Sequence, residues 1–176
     1  MSSFRIARCG LCIALLAVAS CITIPLGPVP FTLQTLVIAM LPVALGGRDA
    51  IVTVALYLLL GALGLPVFSG FSGSIAVLAG PTGGFLWGFL AGTAFAAGIQ
   101  HLEAVPEPWR EAFGTAGMLL ISYAWGTAQL MVVMGMTLPA ALALAVAPFV
   151  IPDIIKMAVG VKIGRAVRRA LRVQRA

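Results

Sequence analysis

Apolar positions in this chain run in long unbroken stretches at 6–24, 31–46, 50–64, 83–100, 113–135 and 152–171, separated by clusters of Pro, Gly and charge. Most approach the ~20 residues that a membrane-crossing helix needs. Period-two alternation is weak, which favours helices over a transmembrane barrel. The pattern predicts an all-α integral membrane protein of six transmembrane helices in a single domain over 1–176, without internal repeat. A shorter apolar run, 138–147, would reach only ~15 Å as a helix and is expected to lie at the membrane interface or dip partly in.

Composition strengthens this reading. Of 176 residues, 61% are hydrophobic and 9% charged, against roughly 25% charged in soluble domains, and the mean hydropathy is +1.12. Too few polar side chains remain to coat a soluble fold, so water-soluble enzyme classes are excluded. The net charge of +6 is a matter of position: six of the eleven basic residues (Lys162, Arg165, Arg168, Arg169, Arg172, Arg175) fall in the last fifteen positions. That is a juxtamembrane basic segment; no stacking platform or reading motif for nucleic acid accompanies it. With both termini cytoplasmic, this tail and Arg5, Arg8, Arg48 and Arg110 all lie inside, and the outer loops carry no basic residue. Although Arg5 and Arg8 precede it, the first run is longer than a signal h-region and is expected to stay as a span.

The loops differ in kind. The polar stretch 100–111, with Glu103, Glu107, Glu111, Arg110 and His101, reads as a solvated cytoplasmic connector. The outer segment 25–30, PLGPVP, holds three prolines in six residues and is stiffened towards extended geometry. The outer stretch 64–84 has six glycines and two prolines with apolar residues between them. It is too long for a turn and too apolar for a free loop, and it is expected to dip towards a ligand cavity, its glycines (Gly73 among them) allowing close backbone approach.

Little conventional chemistry is present. Cys9, Cys12 and Cys21 have no second ligand pair, and His101 is remote, so no metal site is expected and the cysteines read as small apolar residues. GPTGG at 80–84 lacks the G-K-[ST] of a phosphate loop, and HExxH and GxSxG motifs are missing, so the chain is expected neither to hydrolyse ATP nor to act as an enzyme. What stands out is Asp153 and Lys156 in IPDIIK. Ionisable groups inside a span usually face a cavity, and their i, i+3 spacing places both on one face. Pro152 suits a first helical position. Lys156 lies nine residues, about 14 Å, before Arg165, which puts it near mid-membrane or in the outer half. Around it the outer half offers Thr32, Gln34, Thr35, Tyr57, Ser69, Ser72, Ser74 and Thr82: an apolar pocket with a few placed polar groups and a cation, suited to a small amphipathic carboxylate.

The stretches ALLAVASCITIPLGPVPFTLQTLVIAMLPVALGGRDA, LYLLLGALGLPVF, GPTGGFLWGF and PFVIPDIIK, in this order, resemble the BioY family, the biotin-specific S components of energy-coupling factor (ECF) transporters. The resemblance implies a six-helix, multi-pass subunit of the bacterial cytoplasmic membrane that captures biotin from outside. Its partners would be a transmembrane scaffold subunit and ATPase subunits; the chain would carry no cofactor, and ATP would be used only by those partners. The family's acid and lysine fall on Asp153 and Lys156. Charge alone suggests the biotin carboxylate on Lys156, with a ureido N–H on Asp153 or on a carbonyl of the Gly-rich stretch. Where the family often has Tyr after GPTGG this chain has Phe85, which can stack on the ligand's bicyclic head but offers no hydroxyl. Small residues spaced along the first helix (Gly10 with Ala14, Ala17 with Cys21) fit the face that S components present to the scaffold. A stand-alone biotin permease, an S component for another vitamin, and a non-transport membrane scaffold are the competing readings.

Overall fold

The computed structural model describes residues 3–25 and 27–173; Leu26 of the proline segment and Arg175 of the basic tail lie outside them. The six apolar runs correspond to α1 (Ser3–Cys21), α2 (Gln34–Leu45), α3 (Gly47–Ala62), α5 (Gly83–Ile99), α6 (Glu107–Met134) and α8 (Val150–Val173), with the short α4 (Ile75–Ala79) and α7 (Leu138–Ala145) between them. Among the described residues, α1 and α6 are each long and apolar enough to cross a membrane, as is α7 with α8 taken as one span bent by 50°; α2 and α5 are shorter apolar helices.

Several boundaries move for local reasons. The first run ends as helix at Cys21 and continues as β1 (Thr23–Ile24), which pairs antiparallel with β2 (Phe31–Thr32) across the proline segment. Three β-branched residues followed by Pro25 disfavour the α conformation there, and the second run becomes helical only at Gln34. At the other end, α6 starts at Glu107, inside the stretch expected to be a connector, because Pro108 falls in its first turn, where no intrahelical N–H is required. Glu111 is therefore not a solvated loop residue: it is buried and binds Arg165 Nε at 2.5 Å and Arg168 Nη2 at 3.0 Å. α8 begins at Val150, two residues before Pro152, and keeps Asp153 in its first turn.

Close helix approach sets the architecture. On α5, Gly84, Gly88 and Gly92 repeat every four residues against α6: a Cβ at Gly88 would lie 2.5 Å from Ser122 Cα, and one at Gly92 2.9 Å from Met118 Cα. On α8, Gly164 does the same against α2, where a Cβ would lie 2.9 Å from the Met40 carbonyl oxygen. Such small-residue faces allow backbone contact where no hydrophobic driving force acts between helices. Gly160 faces Leu36 and Gly164 faces Met40, so α2 and α8 run in the same direction and begin at the same end of the bundle.

The 64–84 stretch folds back over that end. One side is anchored where Phe68, 1% exposed, packs on Gly61 and the Val67 carbonyl accepts from the Ser20 and Tyr57 hydroxyls. The other side is stapled by Gln129 Nε2, which donates to the carbonyls of Leu78 at 2.9 Å and Gly80 at 2.7 Å. The proline segment joins it through Val29, which clusters with Leu130, Ala141, Ala145 and Phe149.

Candidate functional site

At the end where α2, α5 and α8 begin, a cavity of about 160 Å³ opens beneath the folded-back stretch and the proline segment. Its apolar wall comes from Val29, Pro30, Phe68, Val77, Phe85, Leu86, Phe89, Leu119 and Phe149. Its polar groups are Thr32, Gln34, Thr35, Ser69, Ser72, Thr82, Ser122, Tyr123, Asp153 and Lys156.

The charged pair is built from four elements. Lys156 Nζ lies 2.5 Å from Asp153 Oδ1, both side chains being buried. Thr35 on α2 donates to Asp153 Oδ1 at 3.0 Å, and Tyr123 on α6 donates to Oδ2 at 2.7 Å. The ammonium donates to the Thr32 carbonyl at 2.8 Å and sits 4.0 Å from the centre of the Phe31 ring. Two buried charges are tolerated because each finds a counter-charge and polar partners. Valence is left over: an ammonium has three N–H groups and a carboxylate about four acceptor sites, so each member can still bond a ligand.

Other expected residues are distributed unevenly. Gln34, Thr82 and Phe85 line the cavity together with Asp153 and Lys156. Tyr57 does not; it is fully buried one layer outside, where its hydroxyl accepts from Gln34 Nε2 at 2.8 Å and donates to the Val67 carbonyl at 2.8 Å. Gly73 and Ser74 are also absent from the wall. A Cβ at Gly73 would collide with the Leu65 carbonyl, so this glycine serves the tight fold of the stretch, and Ser74 is the residue from which α4 starts. On α1, Gly10 and Ala14 face outwards while Ala17 and Cys12 pack against the core. Among the described residues, no group of His, Cys, Asp or Glu is placed to hold a metal.

Sequence reading missed Tyr123, Ser122 and Phe149. An aromatic in an apolar run reads as core; the available signal was that Tyr123 is one of only two tyrosines in the chain, and a buried phenol needs a partner.

The opposite end of the bundle is also charged, and among the described residues its clefts are lined by arginines and carboxylates with no aromatic side chain among them. Asp49 accepts from Arg5 Nε at 3.1 Å and from Arg8 Nη2 at 3.4 Å, and the Arg5 guanidinium holds its carboxyl below the usual range despite burial. Arg168 bridges Glu107, at 2.6 Å, and Glu111.

Known proteins share both sequence and shape with this chain. "Biotin transporter BioY" of Thermotoga maritima is 45% identical over 122 residues, 69% of this chain and 71% of that protein. "Biotin transporter BioY2" of Lactococcus lactis subsp. cremoris is 43% identical over 115 residues, 64% of this chain and 63% of that protein, so the aligned stretch spans about two thirds of these relatives. A crystal structure of the S-component for biotin from an ECF-type ABC transporter superposes with a TM-score of 0.86, covering 96% of this chain and 95% of that one at 23% identity; at that identity the likeness speaks for the fold. The BioY family model matches residues 1–173, the whole bundle including the IPDIIK segment that carries the buried pair, and the chain belongs to the BioY family.

Proposed function

We propose that this multi-pass membrane protein is the biotin-capture subunit of an ECF-type uptake transporter and performs no catalysis itself. The observation that carries the reading is the cavity's composition: an aromatic and aliphatic wall around one buried Asp153–Lys156 pair, in a chain of the BioY family. Biotin is a fused apolar bicycle with a ureido group and an acidic tail, and such a ligand needs burial for its rings and a few fixed donors and acceptors.

Charge alone favours the carboxylate on Lys156, but the geometry favours the other end. Asp153 already neutralises Lys156 at 2.5 Å, and a second carboxylate beside them would leave a net negative charge in a desolvated pocket. A ureido group is neutral and offers N–H donors to Asp153 and a C=O acceptor to Lys156. The carboxylate then needs other donors, and the cavity wall offers the hydroxyls of Ser69, Ser72 and Thr82.

Six spans with both termini cytoplasmic suit the placement of Arg5, Arg8, Arg165 and Arg168 at the end away from the cavity, with the cavity opening outward in the cytoplasmic membrane of a bacterium. The exposed Gly10 and Ala14 on α1 suit close approach of a scaffold subunit's helix, with Ala17 at the edge of that face. ATP would be consumed only by separate ATPase subunits, and the chain needs no cofactor. Uptake then requires those partners to change which side the site faces.

Titration of the purified wild-type protein with labelled biotin tests the reading: saturable one-site binding is expected, and none by folded protein would overturn it. Competition by biotin methyl ester tests the orientation. Affinity within about tenfold of biotin fits the ureido on the pair, whereas a loss beyond about a hundredfold would place the carboxylate on Lys156.

A further inference from the structure

A directed chain of hydrogen bonds leaves the cavity through a residue that does not touch it. Lys156 donates to the Thr32 carbonyl at 2.8 Å, the Thr32 hydroxyl donates to Gln34 Oε1 at 3.1 Å, Gln34 Nε2 donates to the Tyr57 hydroxyl at 2.8 Å, and Tyr57 donates to the Val67 carbonyl at 2.8 Å. Thr32, Gln34 and Lys156 line the cavity, whereas Tyr57 is fully buried behind them. Val67 adjoins Phe68, where the covering stretch is anchored; Phe68 itself lines the cavity and meets the Tyr57 ring edge-on at 5.4 Å.

The direction of this chain follows from chemistry. A carbonyl only accepts, so the single Tyr57 proton is committed to Val67 and the phenol oxygen can only accept from Gln34. The Gln34 amide must therefore turn its NH₂ to Tyr57 and its oxygen to Thr32. One N–H and one lone pair remain on an amide at the cavity wall, in a fixed orientation. Without the phenol the remaining side-chain partner of that amide is the Thr32 hydroxyl, which can donate or accept and so can meet either end.

We infer that Tyr57 is a positioning residue for ligand capture: through Gln34 it fixes the donor and acceptor that the cavity wall presents, and through Val67 it ties that orientation to the anchor of the covering stretch. The inference rests on the biotin reading above. It makes Gln34 a specificity element whose polarity is set from a second layer, and it couples a bound ligand to the closure of the stretch above it.

The test is a double-mutant cycle on labelled-biotin binding by the purified chain, with Tyr57→Phe, Gln34→Met and both together. Tyr57→Phe keeps the ring against Phe68 and removes only the hydroxyl. We expect each single variant to bind about tenfold more weakly with faster dissociation, and the double variant to bind no more weakly than Gln34→Met alone. Tyr57→Phe binding like wild type, or losses that multiply in the double variant, would overturn the inference and leave the biotin reading standing. Wild type that fails to bind would sink the biotin reading, and this inference with it. Should Tyr57→Phe fail to fold, amide exchange reads the same link. Biotin is expected to slow exchange at Phe68, whose N–H bonds the Ser72 carbonyl at 2.9 Å, more in the wild type than in Gln34→Met, where the link is cut, and equal slowing in the two would overturn the inference.

Discussion

The two ends of the bundle use the same groups, buried carboxylates against cations, to different effect. At the end away from the cavity Asp49 and Glu111 are buried, but the arginines around them keep more contact with solvent, with side-chain exposures from 15% for Arg8 and 26% for Arg168 to 32% for Arg5 and 37% for Arg165. Those pairs join α1 to α3 and α6 to α8 and act as clamps. At the cavity end both members are withdrawn from water, Lys156 being 10% and Asp153 6% exposed, with aromatic rings and hydroxyls around them and unused valence facing a void. A carboxylate–cation pair becomes a recognition site when the cation is buried with it, because only then is a ligand's hydrogen bond not in competition with water.

Substitutions at the two ends should separate these roles. The largest effect is expected for Asp153→Ala, which strands the Lys156 ammonium and frees two hydroxyl donors. Biotin affinity should fall more than a hundredfold, and stability by about 3 kcal/mol, the order found when one partner of a buried pair is removed. Retained affinity would place recognition elsewhere. Glu111→Gln, at the clamp, should lower stability by roughly 1–2 kcal/mol, discounted for the solvated arginines, and leave biotin affinity unchanged. A matching loss of affinity would show that the two ends are coupled.

Smaller still is the contribution of Asp49. Its folded-state pKa lies below the ordinary carboxylate value, so its pair stabilises the protein above that value and the contribution fades as pH falls through the lowered pKa. Thermal unfolding of wild type and Asp49→Asn should differ by a constant amount between pH 7 and pH 5 and begin to converge only as pH falls below about 4. A gap that persists in acid would assign the difference to packing. The smallest effect on the isolated chain is expected for Gly10→Leu. A Cβ there meets nothing within 4 Å, so binding and melting should be unchanged, and only biotin uptake by cells containing the partner subunits should drop.

Much of this was legible in the chain. Asp153 and Lys156 announced themselves as ionisable residues in an apolar run, and the glycines and prolines of 64–84 implied a covering segment because backbone without helix must be buried in protein at that depth. What escaped depends on contacts distant in sequence. Glu111 read as loop because nothing local reveals that Arg165 and Arg168 will stand beside it. Tyr57 has the right depth for the cavity, but rotation of α3 places it one layer behind Gln34. The sequence reading passed over the spacing of Gly84, Gly88 and Gly92; that it sets α5 against α6, and so brings Tyr123 to Asp153, required the partner helix.

The central claim is that the Asp153–Lys156 cavity captures biotin without any other subunit. Titrating labelled biotin into detergent-purified wild type and Lys156→Ala, with melting curves to verify that both are folded, tests it most directly. Saturable binding to wild type that disappears in the folded variant is the expected result; a folded Lys156→Ala protein that binds biotin as wild type does would contradict it.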